Sequence, residues 1–189
     1  FELKIGKGGD IEPQLITLKE GSVQIKGFVD RVDKLDLDGK RYIRVIDYKS
    51  GAKEFVLSDV LYGLNMQMLL YLVSIVRSKE GFYKDSVPAG VLYFPANIRP
   101  VTSEREESEE KRRKKIYSLS KMNGMLVGDE EVIEHMDKEK EGLFLPANFD
   151  AKGTVKGNFI SLSQFRKLSE YMDKLIREMG DSVQSCNIP

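Results

Sequence analysis

Among the many charges of one short stretch, GFVDRVDKLDLDGKRYIRVIDYKSG, residues 27–51, three acids and a lysine have the spacing for chemistry: Asp30, Asp33, Asp47 and Lys49. Asp47 and Lys49 are two apart, so on an extended strand they share a face, and Tyr48 takes the other. Asp30 and Asp33 are three apart, so without a bulge they point to opposite faces. Only one of them can join Asp47 and Lys49. Two carboxylates and an ammonium beside a sheet are what metal-assisted phosphodiester hydrolysis needs. Carboxylates are hard ligands that hold Mg²⁺ with water completing its shell. Such an ion polarises phosphate and makes its water acidic, and a lysine can orient that water and offset developing charge. The competing reading is a surface hairpin with its charges in water.

The elements around the stretch bear on that choice. Residues 22–35 alternate and predict one strand, residues 41–49 predict a second, and Asp38-Gly39 is a hairpin turn signal. Val45 and Ile46 are adjacent and apolar, which predicts a strand covered on both faces, so Asp47 ends a buried element. Residues 58–81 predict a long, largely buried helix, with Ser58 as a cap and Gly81 past its last turn. Gly63, Gln67, Tyr71, Ser74 and Ser78 would form a narrow small-and-polar stripe along it, suited to close approach by a site or a nucleic-acid backbone. Residues 87–95 predict a third buried strand bounded by prolines.

The remaining chain is plainer. Residues 10–20 hold a short strand, and the glycines at 6, 8 and 9 lack the residues of a phosphate loop and predict a turn. Residues 104–115 pass from acid to base and predict a solvated helix or mobile insertion, so 103–115 is expected to be exposed. Residues 129–138 predict a short amphipathic helix, residues 150–157 a loop or hairpin, and residues 161–179 an amphipathic helix capped by Ser161 or Ser163. The order predicts an α/β fold, a mixed central sheet flanked by helices, in one domain over 1–189.

Composition limits the function classes. The chain has 189 residues, 41% hydrophobic and 32% charged, which fits one globular domain. Lys+Arg and Asp+Glu both number 30, so no global field draws it to nucleic acid or membrane. One cysteine, Cys186, excludes an internal disulfide and predicts a cytoplasmic setting. One histidine and one cysteine support no Ser-His-Asp or Cys-His arrangement, and there is no GxxxxGK[ST] for ATP. KRRKK at 111–115 could touch phosphates, but its acidic neighbours make an intrahelical charge mosaic the stronger reading. The chain starts at Phe1, which predicts a piece of a longer protein.

The ordered set Gly27-x-x-Asp30, Asp47-Tyr48-Lys49 and Gln67-x-x-x-Tyr71 resembles the RecB-type nuclease module of the PD-(D/E)xK superfamily. It is most similar to the C-terminal nuclease domains of AddB-type helicase/deoxyribonuclease subunits, closely over 22–75 and more weakly through 121–137 and 161–179. The resemblance implies a restriction-endonuclease-like core and a Mg²⁺-dependent exonuclease, with Mn²⁺ as an alternative ion. It implies Asp30 and Asp47 as metal-binding carboxylates, Lys49 as the catalytic lysine, the Tyr48 carbonyl as a further metal ligand, and Gln67 and Tyr71 as contacts to DNA. Asp33 is then left to pair with a cation such as Arg31 or Lys34.

The implied partners are single-stranded DNA ends and an AddA-type subunit, in a complex that processes double-strand breaks. Two family features are missing. No histidine precedes Asp30, so the chain by itself is expected to be inactive, and His135 is expected to be structural or exposed. An iron–sulfur cluster of four cysteines, a feature of such subunits, cannot be held by one cysteine. The alternatives are a Cas4-like or stand-alone RecB-type exonuclease, and a catalytically silent nuclease fold that scaffolds DNA or a helicase.

Overall fold

A computed structural model describes residues 2–51, 54–96, 108–128, 130–136, 145–149 and 155–186. The chain opens with β1 (Leu3–Ile5), β2 (Gln14–Thr17), β3 (Ser22–Ile25) and β4 (Gly27–Val29). β5 (Arg31–Leu37) and β6 (Lys40–Lys49) follow, then α1 (Gln67–Val76) and β7 (Val87–Pro95). α2 (Glu109–Leu119), β8 (Asn123–Val127) and α3 (Glu130–Met136) come next. β9 (Ala147–Phe149), β10 (Val155–Gly157), β11 (Phe159–Ile160) and α4 (Leu162–Gln184) complete the order.

The central sheet has five strands in the order β11-β8-β7-β6-β5. β6 runs antiparallel to β5 and parallel to β7, and β8 runs antiparallel to β7, so the sheet is mixed. β1 pairs with β4, and β2 with β3, as separate two-stranded ribbons. The 22–35 stretch is therefore three strands and not the single strand its alternation predicts. Lys26 and Asp30 interrupt it, because each piece pairs with a different partner. The β5–β6 turn is as expected: Asp38 and Gly39 both take positive φ, 50° and 72°, which Asp and Gly tolerate.

Adjacent apolar residues in β6 split between two layers, as a doubly covered strand requires. Ile43 and Val45 pack with Leu69, Leu72 and Met172, under α1 and α4. Ile46 packs with Leu92, Leu126 and Ile133, under α3. β7 is buried as expected, and Asn123–Val127 adds a strand beside it that the sequence reading did not single out.

The long helix is shorter than its composition suggests. Residues Leu57–Tyr62 form a tight 3₁₀ turn, and α1 begins only at Gln67. Gly63 and Asn65 break the run, taking φ of 76° and 54°. Glycine has no Cβ to clash there, and asparagine can bond locally; the Asn65 amide donates to Asp59 Oδ2 at 2.6 Å. Neither Ser58 nor Gly81 caps α1, whose flanking residues are Met66 and Arg77. Of the five-residue stripe, only Gln67, Tyr71 and Ser74 lie on α1, and Ser74 is buried with its hydroxyl donating to Leu70 O.

α4 is amphipathic and runs past 179 to Gln184. Its start is a capping box: Ser161 Oγ accepts from Gln164 N, and Gln164 Oε1 accepts from Ser161 N. Within 103–115, the residues from Ser108 onward are described; those with described side chains, including Lys111, Arg112, Arg113 and Lys115, are exposed on α2. Residues 103–107 lie outside the described residues. Residues Gly6, Gly8 and Gly9 lie in a turn between β1 and Ile11.

Candidate active site

β6 carries its charges where its buried run stops. Asp47 and Lys49 project from the face that packs on α1, and Lys49 Nζ lies 2.5 Å from Asp47 Oδ2. That oxygen is buried and meets the ammonium as a close ion pair. The Asp47 carboxylate holds the Lys49 ammonium above its ordinary 10.5, while burial works the other way.

Asp30 sits at the bend between β4 and β5. β5–β6 register pairs Arg31 with Ile46, so one residue further on Asp30 stands across from Asp47. Asp30 Oδ2 accepts the Tyr48 amide at 3.0 Å. The N–H and C=O of one strand residue leave the same edge, so the Tyr48 carbonyl also faces the bend. Asp30 and Val32 share a face, and Val32 packs in the α1 layer, as Val45 does. Asp30, Asp47 and Lys49 are thus on one side of the sheet.

Asp33 is on the other. It stands opposite Arg44 in the β5–β6 register. Its carboxylate accepts from Arg31 Nε at 2.7 Å and from Arg44 Nη2 at 2.8 Å. Burial works to raise the Asp33 carboxyl, but the bonds from Arg31 and Arg44 outweigh it and hold it below its usual 3.8. Lys34, the other expected partner, pairs instead with Asp36 at 2.9 Å.

Gln67 and Tyr71, one turn apart on α1, are joined by a bond from Gln67 Nε2 to Tyr71 Oη at 3.1 Å. The Tyr71 ring rests on Gly27, where a Cβ would overlap the phenol oxygen and come within 2.6 Å of the ring carbon Cε1. This contact ties the first motif glycine to the helix motif.

Tyr93 is a site residue that sequence reasoning missed. β6–β7 pairing puts it directly across from Asp47. It is 4% exposed, and its ring centroid is 6.0 Å from Lys49 Nζ. Burial, and then the Asp47 charge, push its phenol above the ordinary 10.0. One signal was available: it is a polar-tipped ring inside an otherwise apolar strand. Next across the sheet, Asn123 Oδ1 accepts the Phe55 amide at 2.7 Å, pinning the chain after the motif lysine.

The oxygen set suits a hard cation. Asp30, the Asp47 carboxylate and the Tyr48 carbonyl edge are of the type Mg²⁺ takes alongside water, with Asp47 Oδ2 also paired to Lys49. Among the described residues no group of three or more His, Cys, Asp or Glu gathers. His135 is exposed on α3, at the opposite face, with Nδ1 2.8 Å from Glu131 O. Cys186 is a free, exposed thiol. No helix of the described residues is long and apolar enough to cross a membrane.

The family model of the PD-(D/E)XK nuclease superfamily matches residues 1–185. The chain is 40% identical to the B-type subunit of the ATP-dependent helicase/deoxyribonuclease of Clostridium novyi, over 96% of this chain and 17% of that protein. It is 34% identical to the protein of the same name from Acetivibrio thermocellus, over 100% of this chain and 17% of that one. For Clostridium acetobutylicum the identity is 36%, over 93% and 16% respectively. The chain therefore spans about one sixth of the length of these curated relatives.

Proposed function

The chain belongs to the PD-(D/E)XK nuclease superfamily, and from that premise we propose that it is a metal-dependent deoxyribonuclease module. Its parent is an AddB-type subunit whose AddA-type partner feeds it single-stranded DNA during double-strand break repair. The observation that carries this reading is the convergence of Asp30, Asp47 and Lys49 on one face at the end of β6.

Asp30, Asp47 and the Tyr48 carbonyl would hold Mg²⁺ or Mn²⁺. The ion, when bound, supplies Lewis acidity at the phosphate and an acidic water. Lys49 orients the water that attacks phosphorus and offsets negative charge as the P–O bond breaks. Asp47 in turn keeps Lys49 protonated and aimed. Gln67 and Tyr71 hold the strand beside the cut. The even balance of 30 cationic and 30 acidic residues fits a module that receives DNA from a partner and does not capture it alone.

The test uses full-length protein with its AddA-type partner. Lys49→Ala should abolish Mg²⁺-dependent degradation of single-stranded DNA while leaving unwinding intact. Cleavage that continues unchanged in this variant would remove Lys49 from the site.

A further inference from the structure

In the Asp47-Tyr48-Lys49 triplet the middle side chain points away from the site. Tyr48 shares the reverse face of β6 with Ile46, which packs under α3. Tyr48 is 44% exposed, so burial does not account for where its ring sits. Phe94 does. It stands directly across from Tyr48 in the β6–β7 register, and the two rings meet edge to face, centroids 5.6 Å apart at 71°. Phe94 packs in turn on the layer of Ile46, Leu92 and Leu126, which anchors it. From the β5 side, the Arg31 guanidinium reaches the Tyr48 phenol.

The backbone at Tyr48 lies where one side of the sheet runs out. β5 pairs with β6 only as far as Arg31 opposite Ile46. Lys49 O accepts the Ala96 amide at 2.8 Å, so the polar groups of Lys49 face β7. Those of Tyr48 then face the opposite edge, which β5 has left. There the Tyr48 N–H donates to the Asp30 carboxylate at 3.0 Å. The carbonyl beside it lies past the end of the β5–β6 ladder. A peptide in that place is free to twist unless something else fixes it. A ring held on one side of the Cα limits the twist of the backbone on the other.

We propose that Phe94 is a positioning residue for the nuclease centre: it holds the Tyr48 ring on the reverse face and so sets the plane of the peptide that faces Asp30. The inference rests on the nuclease reading and adds a residue that touches neither DNA nor ion. The same peptide plane governs two elements of the site. Its N–H orients the Asp30 carboxylate, and its carbonyl is the third oxygen of the set. Neighbours that orient ligand atoms from outside change metal affinity by about 10- to 100-fold.

The experiment uses the full-length protein with its AddA-type partner. Phe94→Leu keeps apolar bulk and removes the ring edge, whereas Phe94→Tyr keeps the ring. We expect Phe94→Leu to bind Mn²⁺ about 10-fold more weakly by calorimetry. In metal-free buffer its Tyr48 amide should lose protection from hydrogen exchange. Phe94→Tyr should retain both properties. In cleavage assays Phe94→Leu should need more Mn²⁺ for half-maximal rate, with KM for single-stranded DNA unchanged. Tyr48→Leu breaks the same contact from the other side, so adding Phe94→Leu to it should weaken Mn²⁺ binding no further. A lower Tm in Phe94→Leu, with Mn²⁺ affinity and the Tyr48 amide unchanged, overturns the proposal and leaves Phe94 as packing alone. Additive losses in the double variant also overturn it, since Phe94 would then act by a route other than Tyr48. Wild-type protein that binds no Mn²⁺ and leaves DNA uncut overturns the nuclease reading and this inference with it.

Discussion

The phenol ring of Tyr71 rests against the backbone of Gly27, in the space a Cβ would need. The two residues come from a strand and a helix 44 positions apart (71 − 27). Their contact fixes how far α1 stands from the bend that carries Asp30.

Gly27→Ala should therefore do more than fill space. The added methyl must push the Tyr71 ring aside, at a cost of about 1–3 kcal/mol for overpacking. The displaced ring also loses its bond from Gln67. Chemical denaturation should show the loss, and Tyr71→Ala in the Gly27→Ala background should restore part of it. A strongly non-additive double-mutant cycle is the expected signature; simple additivity would mean that the ring does not rest on Gly27.

Tyr71→Phe keeps the ring and removes the hydroxyl that accepts from Gln67. A neutral hydrogen bond contributes about 1 kcal/mol, or about a 5-fold change. Steady-state kinetics on single-stranded DNA should show KM rising by that factor with kcat nearly unchanged. An equal fall in kcat would assign Tyr71 to the chemical step.

Asp47→Asn removes a charge from the oxygen set while keeping its shape. Mn²⁺ affinity, measured by calorimetry, should fall by at least about 10-fold. Asp33→Asn should leave it unaltered, since Asp33 projects from the opposite face. A matching loss in both variants would refute the choice of Asp30 and Asp47.

Asp33 is instead a stability residue with a pH signature. Asp33→Ala strands the largely covered Arg44 guanidinium, 11% exposed, and should cost about 3 kcal/mol. The folded-state pKa of Asp33 is depressed below 3.8, so the unfolded chain takes up its proton first. Its contribution is complete above that value and is lost as pH falls through the folded pKa. Thermal melts should show wild type losing Tm on acidification below about pH 4. In Asp33→Asn that slope should flatten; an unchanged slope would locate acid sensitivity elsewhere.

How much of this was legible beforehand follows from the range of each interaction. The hairpin at Asp38-Gly39, the shared face of Asp47 and Lys49, the buried strand over 87–95 and the Ser161 cap all depend on neighbours a few residues away. Local dihedral preference and strand or helix period decide them. The breaks at Gly63 and Asn65 were local as well, yet the apolar run around them concealed two residues able to adopt positive φ.

The sequence by itself therefore determined the parity of the acids, the turn that folds them together and the motif order that marks the superfamily. It left open which of Asp30 and Asp33 stands with Asp47. Tertiary structure decided that, because β4 turns away to pair with β1 and exposes the bend at Asp30, while Arg44 across the strand claims Asp33. It also brought in Tyr93, through a parallel pairing between strands separated by the whole of α1. Such contacts depend on which surfaces meet once the apolar faces are buried, and no window of sequence contains both partners.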